Sequence, residues 1–211
     1  MHATRIYLIR HGQVANHHEY RYNGHYDVDI TNTGVEQMTR VCEFLSSQKI
    51  DAVYSSDLQR TVKGARIIGK RLGLEPVMVH SLRELNLGRW EGLTREEAIA
   101  MYPEDAHFSF KDLATSKVKE GESLVELRAR VIPALEEIIA RHEHKSVCIV
   151  AHGGVNRVIL SEAMSLPLDK FFRIEQDYGC LNIIDYLEDG MKVVKLLNGG
   201  PNQDMRPTEI Y

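Results

Sequence analysis

The segment Val147-Cys148-Ile149-Val150-Ala151 is apolar at every position, with Ser146 before it and His152 after it. A strand with one wet face alternates apolar and polar residues, so a run with no polar member has to be buried on both faces. That requirement points to a central strand in a parallel sheet, with helices packed above and below. Ile6–Ile9 reads as a second buried strand, ending at Arg10. Ala52–Tyr54 is a third strand, and Pro76–Leu82 a fourth. Cys180–Leu187 and Lys192–Leu197, split by Glu188-Asp189-Gly190, read as a closing hairpin.

Helical spacing fills the intervals. Val35, Met38, Val41, Cys42 and Leu45 follow Thr33-Gly-Val-Glu36, which has the capping-box pattern. Ser56-Asp-Leu-Gln59 reads as a second box, opening a helix with Leu58, Val62, Ala65, Ile68 and Leu72 on one face and Gly73 at its end. Thr94–Glu97 opens a short helix that stops before Pro103, and Ser123–Glu126 opens a long one. Pro133 falls inside the long helix, where it removes a backbone bond. The apolar period continues past it, which predicts a kink and not a break. Val155–Met164 is helical. The tail from Gly199 reads as loosely held.

The pattern predicts a three-layer α/β/α sandwich with a mostly parallel sheet of about six strands, one antiparallel edge strand and a small helical cap. Residues 1–211 read as one domain, with 83–121 as a polar cap excursion inside it. Twenty-six Lys and Arg against 30 Asp and Glu give a net charge of −4. That balance argues against nucleic acid or a polybasic membrane contact, but not against one small anion. Cys42, Cys148 and Cys180 show neither disulfide nor zinc spacing and read as small buried hydrophobes in a reducing cytoplasm. No apolar run suits a signal peptide or a membrane span. The hairpin's edge permits a homodimer without demanding one.

In open α/β sheets ligands bind beyond the C-terminal ends of the strands. There the chain places Arg10-His11-Gly12, Arg60 one turn into a helix, Glu84, and His152-Gly153-Gly154. Two guanidiniums and helix N–H groups form a cradle for a phosphoryl group. A neutral histidine can attack phosphorus, and a glutamic acid can protonate the leaving oxygen. Each residue alone has a plainer reading: Arg60 and Glu84 as surface ion-pair partners, the histidines as structural. Five compatible residues at four strand ends favour the chemical reading. No metal or other cofactor is expected. His17-His18 and His142-Glu-His144 read as solvated side chains that supply no converging ligand set.

LIRHGQVAN (8–16), YNGHYDVDITNTGVEQ (22–37), YSSDLQRT (54–61), LRELNLGRWEGLT (82–94) and VAHGGV (150–155) resemble, in order and nearly end to end, the motifs of the histidine phosphatase superfamily. The resemblance implies that His11 is the phosphorylated nucleophile and Glu84 the proton donor. It assigns phosphoryl binding to Arg10, Arg60 and His152, with Asn16 as a further phosphate contact and Gly24 and the N–H of Gly153 as weaker ones. Gln13 stands where the family more often has Glu, which leaves its role open. The family's mutases continue after the glutamate with Arg-His-Tyr-Gly and carry a further cationic insertion. Leu85-Asn86-Leu87-Gly88 departs from that pattern, which favours a metal-independent phosphomonoesterase over a cofactor-dependent phosphoglycerate mutase or an inactive phosphate-binding protein. Gly88–Gly92, Gly121-Glu122-Ser123 and Asp177–Cys180 resemble the alpha-ribazole phosphatases most, implying a small-molecule phosphate ester such as alpha-ribazole 5'-phosphate of cobalamin biosynthesis. Trp90, Tyr102, His107, Phe108 and Phe110 could line a pocket for an aromatic leaving group or pack the cap.

Overall fold

The apolar run of 147–151 is the third strand in from one side of a six-stranded sheet. The computed structural model describes residues 3–200, and the remainder of the tail read as loose lies outside them. In chain order the elements are β1 (Ala3–Arg10), α1 (Asn32–Leu45), β2 (Ala52–Ser55), α2 (Gln59–Leu72), β3 (Val77–Met78), α3 (Arg95–Met101), α4 (Leu124–Arg141), β4 (Ser146–Ala151), α5 (Gly153–Ala163), β5 (Leu181–Leu187) and β6 (Lys192–Gly199). The sheet order is β3-β2-β4-β1-β5-β6. β1, β2, β3 and β4 pair in parallel; β5 runs antiparallel to β1, and β6 pairs outside it.

Strand pleating sorts the core into two halves. Val147, Ile149 and Ala151 of β4, with Ile6 and Leu8 of β1, pack with Leu127, Val131 and Leu135 of α4 and Val155 and Ile159 of α5. Cys148 and Val150, with Tyr7 and Ile9, pack with Met38 and Val41 of α1 and Ala65 and Ile68 of α2. Both faces of β4 are therefore covered, as its composition requires. The three thiols are free and buried. Among the described residues no helix is long and apolar enough to cross a membrane.

The 83–121 excursion is built from α3 and short 3-10 turns, and its Leu85, Leu87, Trp90, Ala98, Leu113 and Val118 join the same core as α4 and α5. Trp90 is wholly buried. Its Nε1 donates to Asp105, and its ring packs against Tyr22, Phe108 and Phe110. Trp90 belongs to the cap's core, with Tyr102, Phe108 and Phe110 half-buried against it and His107 exposed.

Local chemistry explains where the elements depart from the sequence reading. The Thr94 and Ser123 capping boxes form. α4 runs unbroken through Pro133. The other two boxes do not form. α1 starts two residues earlier than the box implied, capped by Thr31, whose hydroxyl also reaches Gln13. α2 starts at Gln59, whose N–H is capped from a distant loop by Asp27. β3 shrinks to two exposed residues, because after Val79 donates to Ser55 the chain turns into a 3-10 turn at His80–Leu82.

Gly12 and Gly34 bring α1 against the end of β1. A side chain on Gly34 would meet Gln13 O at 2.5 Å and Gln13 N at 2.9 Å. Gly34→Ala is expected to lower unfolding free energy by about 1–3 kcal/mol, the usual range for overpacking. Denaturant titration measures it, and an unchanged midpoint would refute the close-approach account.

Candidate active site

The parallel pairing of β1 with β4 sets Arg10 opposite Ala151, so the next residues, His11 and His152, leave the sheet side by side. Their ring centroids lie 5.3 Å apart, edge to face. His11 is 5% exposed, and its Nδ1 is 2.8 Å from the carbonyl oxygen of Gly12. A carbonyl only accepts, so Nδ1 carries the hydrogen and Nε2 keeps its lone pair. Burial, then Arg60, then Arg10 push the imidazole pKa well below its ordinary value. The result is a neutral, oriented imidazole whose Nε2 keeps its lone pair.

Arg10 donates through Nη1 to Gln176 O at 2.5 Å, and its guanidinium carbon lies 4.0 Å from the Tyr178 ring centre. Its Nε is buried with no hydrogen-bond partner. A methyl on Gly153 would come 3.4 Å from that nitrogen, so the orphan donor lies against the first residue of α5. A buried guanidinium N–H without an acceptor is costly unless an anion completes it.

Arg60 is 1% exposed and not a surface residue. It donates to the carbonyls of Tyr26, Asn23 and Gly24 at 2.9, 2.7 and 2.6 Å, and its Nε donates to His152 Nδ1 at 3.2 Å. Those bonds commit four of its five N–H donors and leave one on Nη1. His152 therefore has Nδ1 as acceptor and Nε2 as donor, toward Ser56 Oγ at 2.8 Å. Ser56 in turn meets Thr61 Oγ1 at 2.7 Å. Both ring nitrogens of His152 are spent on holding Arg60 and Ser56. Burial and the charge of Arg60 keep this imidazole neutral as well.

Glu84 reaches the same corner from the cap side. Its Oε2 accepts from the Gly154 N–H at 3.0 Å and its Oε1 from the Leu85 N–H at 2.9 Å. A side chain on Gly154 would collide with the Glu84 carboxylate, so glycine is what admits it. The other sequence-derived residues support more than they point. Asn16 exchanges two amide hydrogen bonds with Asn23, at 2.8 and 2.9 Å. Gly24 serves through its carbonyl, which holds Arg60. Gln13 ties the end of β1 to α1 by accepting from Thr31 and donating to Gln37.

Sequence reading missed Ser56 as a site residue, because its spacing imitates a helix cap. It gave no role to Asn23 or Tyr178, although both lie inside the quoted stretches 22–37 and Asp177–Cys180, and it missed Gln176 for want of any local motif. Among the described residues no three or more His, Cys, Asp or Glu side chains are grouped as a metal site needs. His142 is not merely solvated: its Nε2 bonds the Tyr54 hydroxyl at 2.9 Å.

A family model for the histidine phosphatase superfamily (branch 1) matches residues 6–199. The chain belongs to that superfamily. Phosphoglycerate mutase-like protein 4 of Arabidopsis thaliana is 37% identical over 76% of this chain and 71% of its own. Phosphoserine phosphatase 1 of Hydrogenobacter thermophilus is 29% identical over 92% of both chains. The solved alpha-ribazole phosphatase of Shigella flexneri superposes with a TM-score of 0.85 over 93% of this chain and 96% of its own, at 24% identity, and shows the same fold. The chain is an enzyme of the phosphoric monoester hydrolase class.

His11 and His152 are both neutral when folded, with pKa values below the ordinary one. Between those depressed values and the unfolded value of about 6.5 the unfolded chain binds more protons, so stability falls as pH drops through that window. The melting temperature is expected to fall from about pH 7 to about pH 5, and less steeply in His11→Asn, which carries one titrating group fewer. Parallel profiles for the two proteins would contradict the assignment of His11.

Proposed function

We propose that the protein is a phosphomonoesterase that carries the phosphoryl group on His11, needs no metal, and hydrolyses a small-molecule phosphate ester. One observation carries this reading: a neutral imidazole, fixed by Gly12 with Nε2 free, stands beside an arginine whose buried Nε has no partner.

The reaction balances with these groups alone. The Nε2 lone pair of His11 forms the N–P bond as the P–O bond to the leaving group breaks. The Nδ1–H, held by the Gly12 carbonyl, stabilises the positive charge the ring acquires. The carboxyl of Glu84 gives its proton to the departing oxygen. It then takes a proton from water as that water attacks phosphorus, and the N–P bond breaks to return neutral His11 and release phosphate. Arg10 Nε, the remaining Nη1 hydrogen of Arg60 and the positive end of α5 face charge on the equatorial oxygens. His152 acts on this arrangement by aiming Arg60.

The mutase reading is second, and the cap's own chemistry weighs against it. Arg89 is spent on Asp105 and Glu104, and Arg95 lies over the Trp90 ring. Those guanidiniums are engaged within the cap and do not converge on a substrate carboxylate. Alpha-ribazole 5'-phosphate stays the first substrate to assay, on the strength of the Gly88–Gly92, Gly121–Ser123 and Asp177–Cys180 resemblances; Arg89 and Trp90 serve cap packing.

The test is steady-state turnover on a panel containing alpha-ribazole 5'-phosphate, phosphoserine and sugar phosphates, with 3-phosphoglycerate plus 2,3-bisphosphoglycerate as the mutase arm. His11→Ala is expected to abolish hydrolysis of every ester, and EDTA to leave wild-type turnover intact. Turnover surviving in His11→Ala would sink the mechanism. Isomerisation outrunning hydrolysis would establish the mutase instead.

A further inference from the structure

We infer that Arg130, on α4, is the positioning residue for the general acid: it grips the main chain that carries Glu84, and Glu122 holds it in place. This rests on the role proposed for Glu84. Residues 83–87 form neither helix nor strand, so no backbone ladder fixes them. The Arg130 guanidinium takes that place. Nη1 donates to Ser81 O at 2.9 Å and Arg83 O at 2.7 Å, and Nη2 to Glu84 O at 2.7 Å. Nε and Nη2 also donate to the two carboxylate oxygens of Glu122, at 2.7 and 2.8 Å. All five N–H donors are thereby used.

Glu122 completes the grip. Its Oε2 accepts from the Asn86 N–H at 3.0 Å, while its own N–H donates to Asn86 O at 2.8 Å. His25 adds a contact from its Nε2 to Glu84 O at 2.9 Å. Glu84 is thus held at its carbonyl by Arg130 and His25, and at its carboxylate by Gly154 and Leu85. The hydrogen bonds of Arg130 go to main-chain carbonyls and Glu122, so its grip acts on Glu84; its charge, which also reaches His25 and His152, is kept by a lysine and lost only with the fork. The fork is specific: a lysine offers one point charge and cannot span three carbonyls and a carboxylate. A displacement of about 1 Å in a reacting group can lower a rate about 10²-fold.

The experiment varies the leaving group. Dinitrophenolate leaves without a proton, whereas an alkoxide needs one, so only the alkyl ester depends on Glu84 during His11 phosphorylation. kcat/KM is compared for 2,4-dinitrophenyl phosphate and n-propyl phosphate. Glu84→Gln sets the benchmark, expected to lower the alkyl ester by about 10²–10⁴-fold and the aryl ester far less. Arg130→Lys is expected to follow it, with about a 10²-fold loss on the alkyl ester and under about threefold on the aryl ester. Glu122→Gln should show the same split in smaller measure, and decides the matter if Arg130→Lys does not fold by circular dichroism. Equal losses on both esters, or none on either, overturn the inference. If Glu84→Gln is itself unselective, the general-acid assignment fails first and takes this inference with it. If His11→Ala keeps its activity, the fault lies in the proposed function.

Discussion

The pairing of β1 with β4 is the constraint on which the rest depends. After Ser146, β4 has no polar residue to offer water, so it must be central, and β1 lies beside it in parallel. Parallel strands end on the same edge. The register that sets Arg10 against Ala151 therefore delivers His11 and His152 together, with Arg10 before one and the α5 N-terminus after the other. Burial of an apolar strand and assembly of the Arg10, His11 and His152 corner have one cause.

That corner concentrates positive charge in a chain whose net charge is −4. Two guanidiniums and a helix N-terminus lie against two imidazoles, and burial keeps both imidazoles neutral. Three loop carbonyls stabilise Arg60 in the interior. Arg10 has only one carbonyl and the face of Tyr178, with one buried donor left over. That spare donor suits an anion, and burial, then the charges of Arg60 and Arg10, keep the histidine that would receive a phosphoryl group neutral. Net charge excluded a polyanion surface and left room for this one focused pocket.

Much of this was legible in the sequence, because apolar period and strand-end position are local signals. β4, β1, α4 and the Thr94 and Ser123 caps follow from them, as does the delivery of Arg10, His11, Glu84 and His152 to one sheet edge. What escaped was decided by tertiary partners. Ser56 has the spacing of a helix cap, yet its hydroxyl serves His152, and Asp27 caps α2 from another loop. β3 has strand periodicity, yet among the described residues its only strand neighbour is the four-residue β2. The cap aromatics suit a pocket as well as a core, and the complete burial of Trp90 assigns that one residue to the core. Arg130 shows the same limit: its partners lie 8 to 49 residues away, beyond any spacing rule.

The central claim is that phosphate passes through one particular nitrogen. The direct measurement is a rapid quench of wild-type enzyme turning over a phosphate ester, under alkaline conditions that preserve phosphohistidine, followed by peptide mapping and phosphorus NMR of the labelled residue. Because Nδ1 is held by the Gly12 carbonyl, the account predicts a phosphoryl group on Nε2 of residue 11. A label on Nδ1, on His152, or on no histidine at all during full turnover would contradict it.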